Sequence, residues 1–163
     1  MNGLDAFIVG EKLDYGTHTF TPEEIVRFAR KYDPQPFHVD AEAARHSMFG
    51  ALCASGWHTA SVWMKLAVDH RPIWFQSLRE RGLPVPYFGP SPGIFDVAWL
   101  KPVYAGDTIH YHSECIEKRP RKTDPDWGIV ITRASGFNEA GDKVISFDNA
   151  VLIRKQPSDQ SPS

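Results

Sequence analysis

The chain has 163 residues, 42% of them hydrophobic and 23% charged, with a formal net charge of -2. That length suits one domain with a real core, and the near-neutral balance argues against nucleic acid or an anionic membrane as partner. The two cysteines, Cys53 and Cys115, form no CxxC motif, so a zinc ribbon or dithiol redox site has no support and both are expected as reduced thiols of a cytoplasmic protein.

The N-terminus carries no basic region followed by an apolar run, so no signal peptide is expected. A first strand is expected near Leu13 to Thr19. A helix follows, strongly signalled: Thr21 as cap, Pro22 at the first helical position, Glu24 completing a capping box, and Phe20 and Ile25 as a hydrophobic staple. Ile25, Phe28, Ala29 and Tyr32 repeat on one helical face. Pro34 ends the helix, because the residue before a proline is pushed out of helical geometry, and Asp33 therefore sits at its last turn or just past it. A short helix is expected from Ala41 to about His46, capped by Asp40.

A third helix begins near Gly56 with Ser55 as candidate cap. Trp57, Ala60, Ser61, Met64 and Val68 share one face, and a helix so apolar all round is normally buried; the apolar stretch from Trp57 to Val68 is too short to span a bilayer, which takes about 20 residues. A fourth helix is expected to open at Pro72 and stop at Gly82. The segment from Leu83 to Gly93 holds Pro84, Pro86, Pro90 and Pro92 and reads as an irregular loop or lid, never a central strand. Ile94–Trp99, Thr108–Lys118, Gly128–Phe137 and Lys143–Ile153 read as strands, with turn signals at Ala105-Gly106-Asp107 and Ala140-Gly141-Asp142. Residues 1–155 are expected as a single domain and 156–163 as a polar, disordered tail. Helices and strands in separate blocks give an α+β fold, with one apolar helix against a long antiparallel sheet.

The chemistry centres on Asp33 and His38. A carboxylate and an imidazole are the pair to move protons on and off water near neutral pH. Five extended residues span roughly 17 Å, so the chain must fold back for them to share a water; the two X-Pro steps between them favour such a return, and Phe37 can anchor it. On spacing alone the bland reading stays open: a loop-capping carboxylate and a histidine beside an apolar ring. His110 and His112 share a strand face and can be read as a metal pair or as an exposed strand. The basic run from Lys118 to Lys122 fits coenzyme A phosphates or a solvated loop.

The stretch from Phe20 to Asp40 (FTPEEIVRFARKYDPQPFHVD) resembles the signature of the MaoC-like dehydratases, which include the (R)-specific enoyl-CoA hydratases. Asp33, Pro36 and His38 fit its pattern, with Gln35 in place of an asparagine and Phe37 in place of an aliphatic residue. The likeness continues through Ser47 to Trp57 (SMFGALCASGW) and from Trp99 to Thr108 (WLKPVYAGDT) to the last strand, and lapses over about 70 to 93. It implies a hot-dog fold, a long antiparallel sheet wrapped around the helix that starts near Gly56, and a homodimer or higher homo-oligomer. It implies a trans-2-enoyl-CoA or related acyl thioester as substrate, hydrated or dehydrated without metal or redox cofactor. Asp33 and His38 are the implied catalytic residues. Gly56 is implied to meet the thioester oxygen through its N–H, with Ser55 beside it as a further substrate-binding residue. His58, close to Gly56 in sequence, can be read as a substrate-binding residue lining the pocket or as a solvated or core histidine. Ser55 stands where the hydratases often carry a histidine. Met64 stands where some place a serine near the aspartate, which is expected to raise the Asp33 pKa. A hot-dog thioesterase and a non-catalytic acyl-thioester binding subunit are the alternatives on the same scaffold.

Overall fold

Thr21 opens the first helix: its side chain accepts the N–H of Glu24, and α1 runs Pro22–Tyr32 with Asp33 as its C-cap. Only half of the expected capping box forms. The Glu24 carboxylate turns to the Thr21 hydroxyl and to His18 instead of the Thr21 N–H. Phe20 and Ile25 are both fully buried, as a staple requires. A computed structural model describes residues 1–155, so the expected tail lies outside the described residues.

After α1 the chain makes α2 (Pro36–Val39), a single turn that sequence patterning does not reveal. Then comes α3 (Ala41–Arg45), whose cap Asp40 accepts the N–H groups of Glu42 and Ala43. The long helix α4 covers Gly56–Glu80, 25 residues without interruption. The break expected at Pro72 does not occur. Proline there removes one N–H and leaves the Val68 carbonyl unpaired, but both residues are exposed, so water can take that carbonyl. Beyond the proline, Trp74 and Leu78 are buried against the N-terminal segment, with the Trp74 and Phe7 rings 5.1 Å apart. That packing carries the helix through. It ends where expected, with Gly82 at φ +68° and the Leu83 N–H reaching back to the Leu78 carbonyl at 2.8 Å, a Schellman stop.

The strands are β1 (Lys12–Thr19), β2 (Tyr87–Phe88), β3 (Gly93–Trp99), β4 (Thr108–Pro120), β5 (Trp127–Phe137) and β6 (Lys143–Arg154). They form one antiparallel sheet in the order β1-β4-β5-β6, with β2 and β3 both pairing the outer side of β6. The proline-rich segment thus contributes only the two residues of β2 and the first residue of β3, Gly93, at an edge where missing donors cost little. Along β4, Ile109, Tyr111 and Ser113 face inward and are buried, while His110 and His112 are on the opposite face. The sheet wraps α4: the Tyr111 hydroxyl donates to the Thr59 carbonyl at 2.9 Å, and the Trp63 ring meets Phe147 edge-on at 4.9 Å. This is the hot-dog arrangement, α+β with a central helix.

Contrary to expectation, the apolar stripe of α4 is not wholly buried: Trp57, Met64 and Val68 are 53%, 42% and 43% exposed, because the sheet packs on the side carrying Thr59 and Trp63 and α1 on the side carrying His58. Among the described residues no helix is long and apolar enough to cross a membrane.

Gly82→Ala should destabilise the chain by about 1 kcal/mol, since a side chain disfavours the left-handed stop. Urea unfolding measures this, and an unchanged midpoint would contradict the Schellman geometry.

Candidate active site

The single turn of α2 does what the spacing of Asp33 and His38 demands. It doubles the chain back so that His38 Nε2 lies 3.4 Å from Asp33 Oδ2. The returning segment is laced to the strand-like stretch before α4. The Cys53 N–H donates to the Phe37 carbonyl at 3.2 Å, and His38 Nδ1 lies 2.6 Å from the Cys53 carbonyl. Phe37 packs edge-on to Phe49 at 5.0 Å, the anchoring its ring was expected to give. A carbonyl oxygen only accepts, so Nδ1 carries the hydrogen and neutral His38 presents the lone pair of Nε2 toward Asp33.

Asp33 is held from both sides. Its Oδ2 accepts from the Ser55 hydroxyl at 2.7 Å and its Oδ1 from the Gln35 side-chain amide at 2.7 Å. Burial pushes its pKa up, but the Ser55 and Gln35 hydrogen bonds and the nearby His38 outweigh burial and leave it below the ordinary carboxylate value. This reverses the expectation attached to Met64, which does not line this cavity. The hydroxyl beside the aspartate comes from Ser55, which is fully buried and makes no side-chain cap for α4.

Because Ser55 is spent on Asp33, the first turn of α4 stays open. Among the described residues the Gly56 and Trp57 N–H groups have no acceptor, the ordinary condition of an uncapped helix start and a place where negative charge is favoured. Gly56 also admits a neighbour that the sequence did not single out. A Cβ at this position would stand 2.4 Å from the Trp99 indole, so only glycine lets that ring lie across the helix start. Trp99 in turn meets Trp57 edge-on at 5.1 Å.

Asp33, His38, Gly56, Trp57 and Trp99 line one cavity of about 520 Å³, with Val103 and Val144 also in its wall. Cys53 also lines it, but burial pushes its thiol up to about 11, so it is no thiolate nucleophile. Lys101 reaches the rim with its ammonium already paired to Asp142 at 2.8 Å.

His58 is not part of this cavity. It is buried on the other side of α4, stacked on Phe28 with ring centroids 4.5 Å apart, and its Nε2 is 3.6 Å from Glu24. Its Nδ1 has no partner among the described residues. His58 stands two positions after Gly56, just over half a helical turn, and so faces away from the side of α4 that borders the cavity. His110 and His112 do gain a third companion, since Asp14 on β1 brings its carboxylate within 4.8 Å of both. That cluster lies on the face of the sheet opposite the core, away from Asp33.

Residues 6–131 match the family model described as MaoC like domain. The structure of a MaoC-like dehydratase from Rhodospirillum rubrum superposes with a TM-score of 0.78 and 33% identity, covering 94% of this chain and 97% of that one. The protein YdeM of Bacillus subtilis is 28% identical over 93% of this chain and 99% of its own length. The R-hydratase PhaJ1 of Pseudomonas aeruginosa, at 21% identity, has a TM-score of 0.61 over 100% of this chain and 96% of its own and so shares the fold.

Burial pulls the His58 pKa down to about 4, against the opposing charge of Glu24. An unfolded histidine titrates near 6.5, so between these values the unfolded chain binds the extra proton and stability rises with pH. Acidification through that window should cost about 3 kcal/mol through this residue, and His58→Phe should flatten that part of the stability–pH curve. Urea titrations at successive pH values measure it; an unchanged slope would show that His58 is not buried neutral.

Proposed function

Because the chain belongs to the MaoC-like dehydratase family, we propose that it is a hydro-lyase acting on an acyl thioester, adding water across the 2,3 double bond of a trans-2-enoyl-CoA or removing it from the 3-hydroxyacyl product. The observation that carries this reading is the convergence of Asp33 and His38, 3.4 Å apart, on a cavity shared with the open start of α4.

A water held by both groups donates one hydrogen to the Asp33 carboxylate and one to His38 Nε2, leaving an oxygen lone pair for carbon 3. Imidazole is the better base near neutral pH. His38 therefore takes the proton as the carbon–oxygen bond forms, while the charge of Asp33 steadies the imidazolium. The π electrons move toward the thioester oxygen, and the resulting enolate meets the free N–H of Gly56. A preorganised donor of this kind contributes roughly 3 kcal/mol to lowering the barrier. The imidazolium then returns its proton to carbon 2, so one water is consumed and the residues are restored. Dehydration is the same path reversed. Ser55 and Gln35 keep Asp33 ionised and oriented and do not touch the reacting carbons.

The half-uncovered stripe of α4 supports a homodimer. Trp57, Met64 and Val68 on the helix, with Phe95 and Trp99 on β3, are each at least 42% exposed. Among the described residues β3 pairs only with β6. A second copy packed on this face would cover apolar surface beside the cavity and close the acyl end of the site.

Hydration of a trans-2-enoyl-CoA, followed as loss of the conjugated absorbance, should fall about 100-fold or more in Asp33→Asn and in His38→Ala, with circular dichroism unchanged. Full activity in both would refute the assignment. Val68→Glu should convert the dimer to monomer by light scattering; a monomeric parent protein would overturn the proposed interface.

A further inference from the structure

A second cavity, of about 250 Å³, lies beneath the C-terminal half of α4 and shares no lining residue with the Asp33–His38 cavity. Its walls are mainly apolar, with Phe7, Trp63, Trp74 and Phe88 among them, but Arg71 of α4 also lines it. The Arg71 guanidinium stacks over the Phe88 ring, 4.0 Å from its centroid. Stacking occupies the face of the group and leaves the N–H edge to seek acceptors. Among the described residues Arg71 has neither an ion pair nor a hydrogen bond, and burial pulls its pKa below the ordinary value. The carboxylate that also lines the cavity, Glu11, is already bound to Arg81 at 2.8 Å. Trp74 also lines this cavity, and its indole N–H is buried without an acceptor among the described residues.

A guanidinium stays charged at any physiological pH, and the half-buried Arg71 holds that charge at the cavity wall with no carboxylate paired to it among the described residues. A ligand carboxylate would meet its planar fork with paired hydrogen bonds, while the aromatic walls take an apolar body. We propose that this cavity binds the carboxylate of a small apolar acid, with Arg71 as the anion-binding residue. The carboxylate can belong to a free aliphatic acid or to the far end of a carboxyl-terminated acyl thioester; only the second source rests on the hydro-lyase reading.

Calorimetry and tryptophan fluorescence with octanoate and octan-1-ol test the site without any turnover. Octanoate should bind roughly tenfold or more tightly than the alcohol, and Arg71→Met should lower octanoate to the alcohol's affinity. Arg71→Lys, which keeps the charge but not the fork, should retain part of the preference. Equal binding of acid and alcohol by the unsubstituted protein would overturn the proposal, as would octanoate affinity unchanged in a folded Arg71→Met. Suberyl-CoA bound more tightly than octanoyl-CoA assigns the site to an acyl tail. No such preference, with octanoate still bound, assigns it to a free acid. Failure of enoyl-CoA hydration leaves these binding outcomes unaffected.

Discussion

The hydrogen bond between His38 Nδ1 and the Cys53 carbonyl, 2.6 Å long, is the contact on which the site depends. It does three things at once. It sets the imidazole tautomer, because the carbonyl can only accept. It ties the turn after α1 to the stretch before α4, bringing a helix C-terminus and a helix N-terminus to the same cavity. And it leaves Nε2 free to face Asp33. Without that tie the two X-Pro steps would bend the chain but would not aim it.

A second economy lies at Ser55. A serine before a helix ordinarily caps it, satisfying one of the first N–H groups. Here its hydroxyl goes to Asp33, so one side chain both orients the carboxylate and leaves the helix start open to a ligand. Local stability of α4 is given up at the point where the proposed oxyanion would sit. The cost is offset by burial elsewhere along the helix, where Val62, Trp63, Trp74 and Leu78 pack against the sheet and the N-terminal segment. The same helix lines two chambers of different character: one with paired polar groups around Asp33, the other mainly apolar with Arg71, which has no counter-ion among the described residues.

Much of the scaffold was legible before any coordinates. Alternation of apolar residues placed the strands to within a residue or two, and the Thr21-Pro22 pair marked the start of α1, because these signals are local. What was not legible depended on three dimensions. Pro72 looked like a helix boundary since its effect on the backbone is local, whereas the burial of Trp74 and Leu78 that overrides it comes from residues near the N-terminus. The turn α2 is too short to show a helical period. Ser55 reads as a cap until Asp33 is seen beside it, and Gly56 gives no hint of the Trp99 ring that requires it. His58 is near Gly56 in sequence, but two positions along a helix turn it to the far side of α4, where it stacks on Phe28. The apolar stripe of α4 was visible, yet only the fold shows that one chain leaves it uncovered.

The central claim is that Asp33, His38 and Gly56 act on one acyl thioester. A crystal structure with a bound (R)-3-hydroxyacyl-CoA tests it most directly. The account predicts the 3-hydroxyl within about 3.2 Å of both the Asp33 carboxylate and His38 Nε2, with the thioester oxygen accepting from the Gly56 N–H. A ligand whose hydroxyl contacts neither side chain, or whose thioester oxygen turns away from the start of α4, would contradict it.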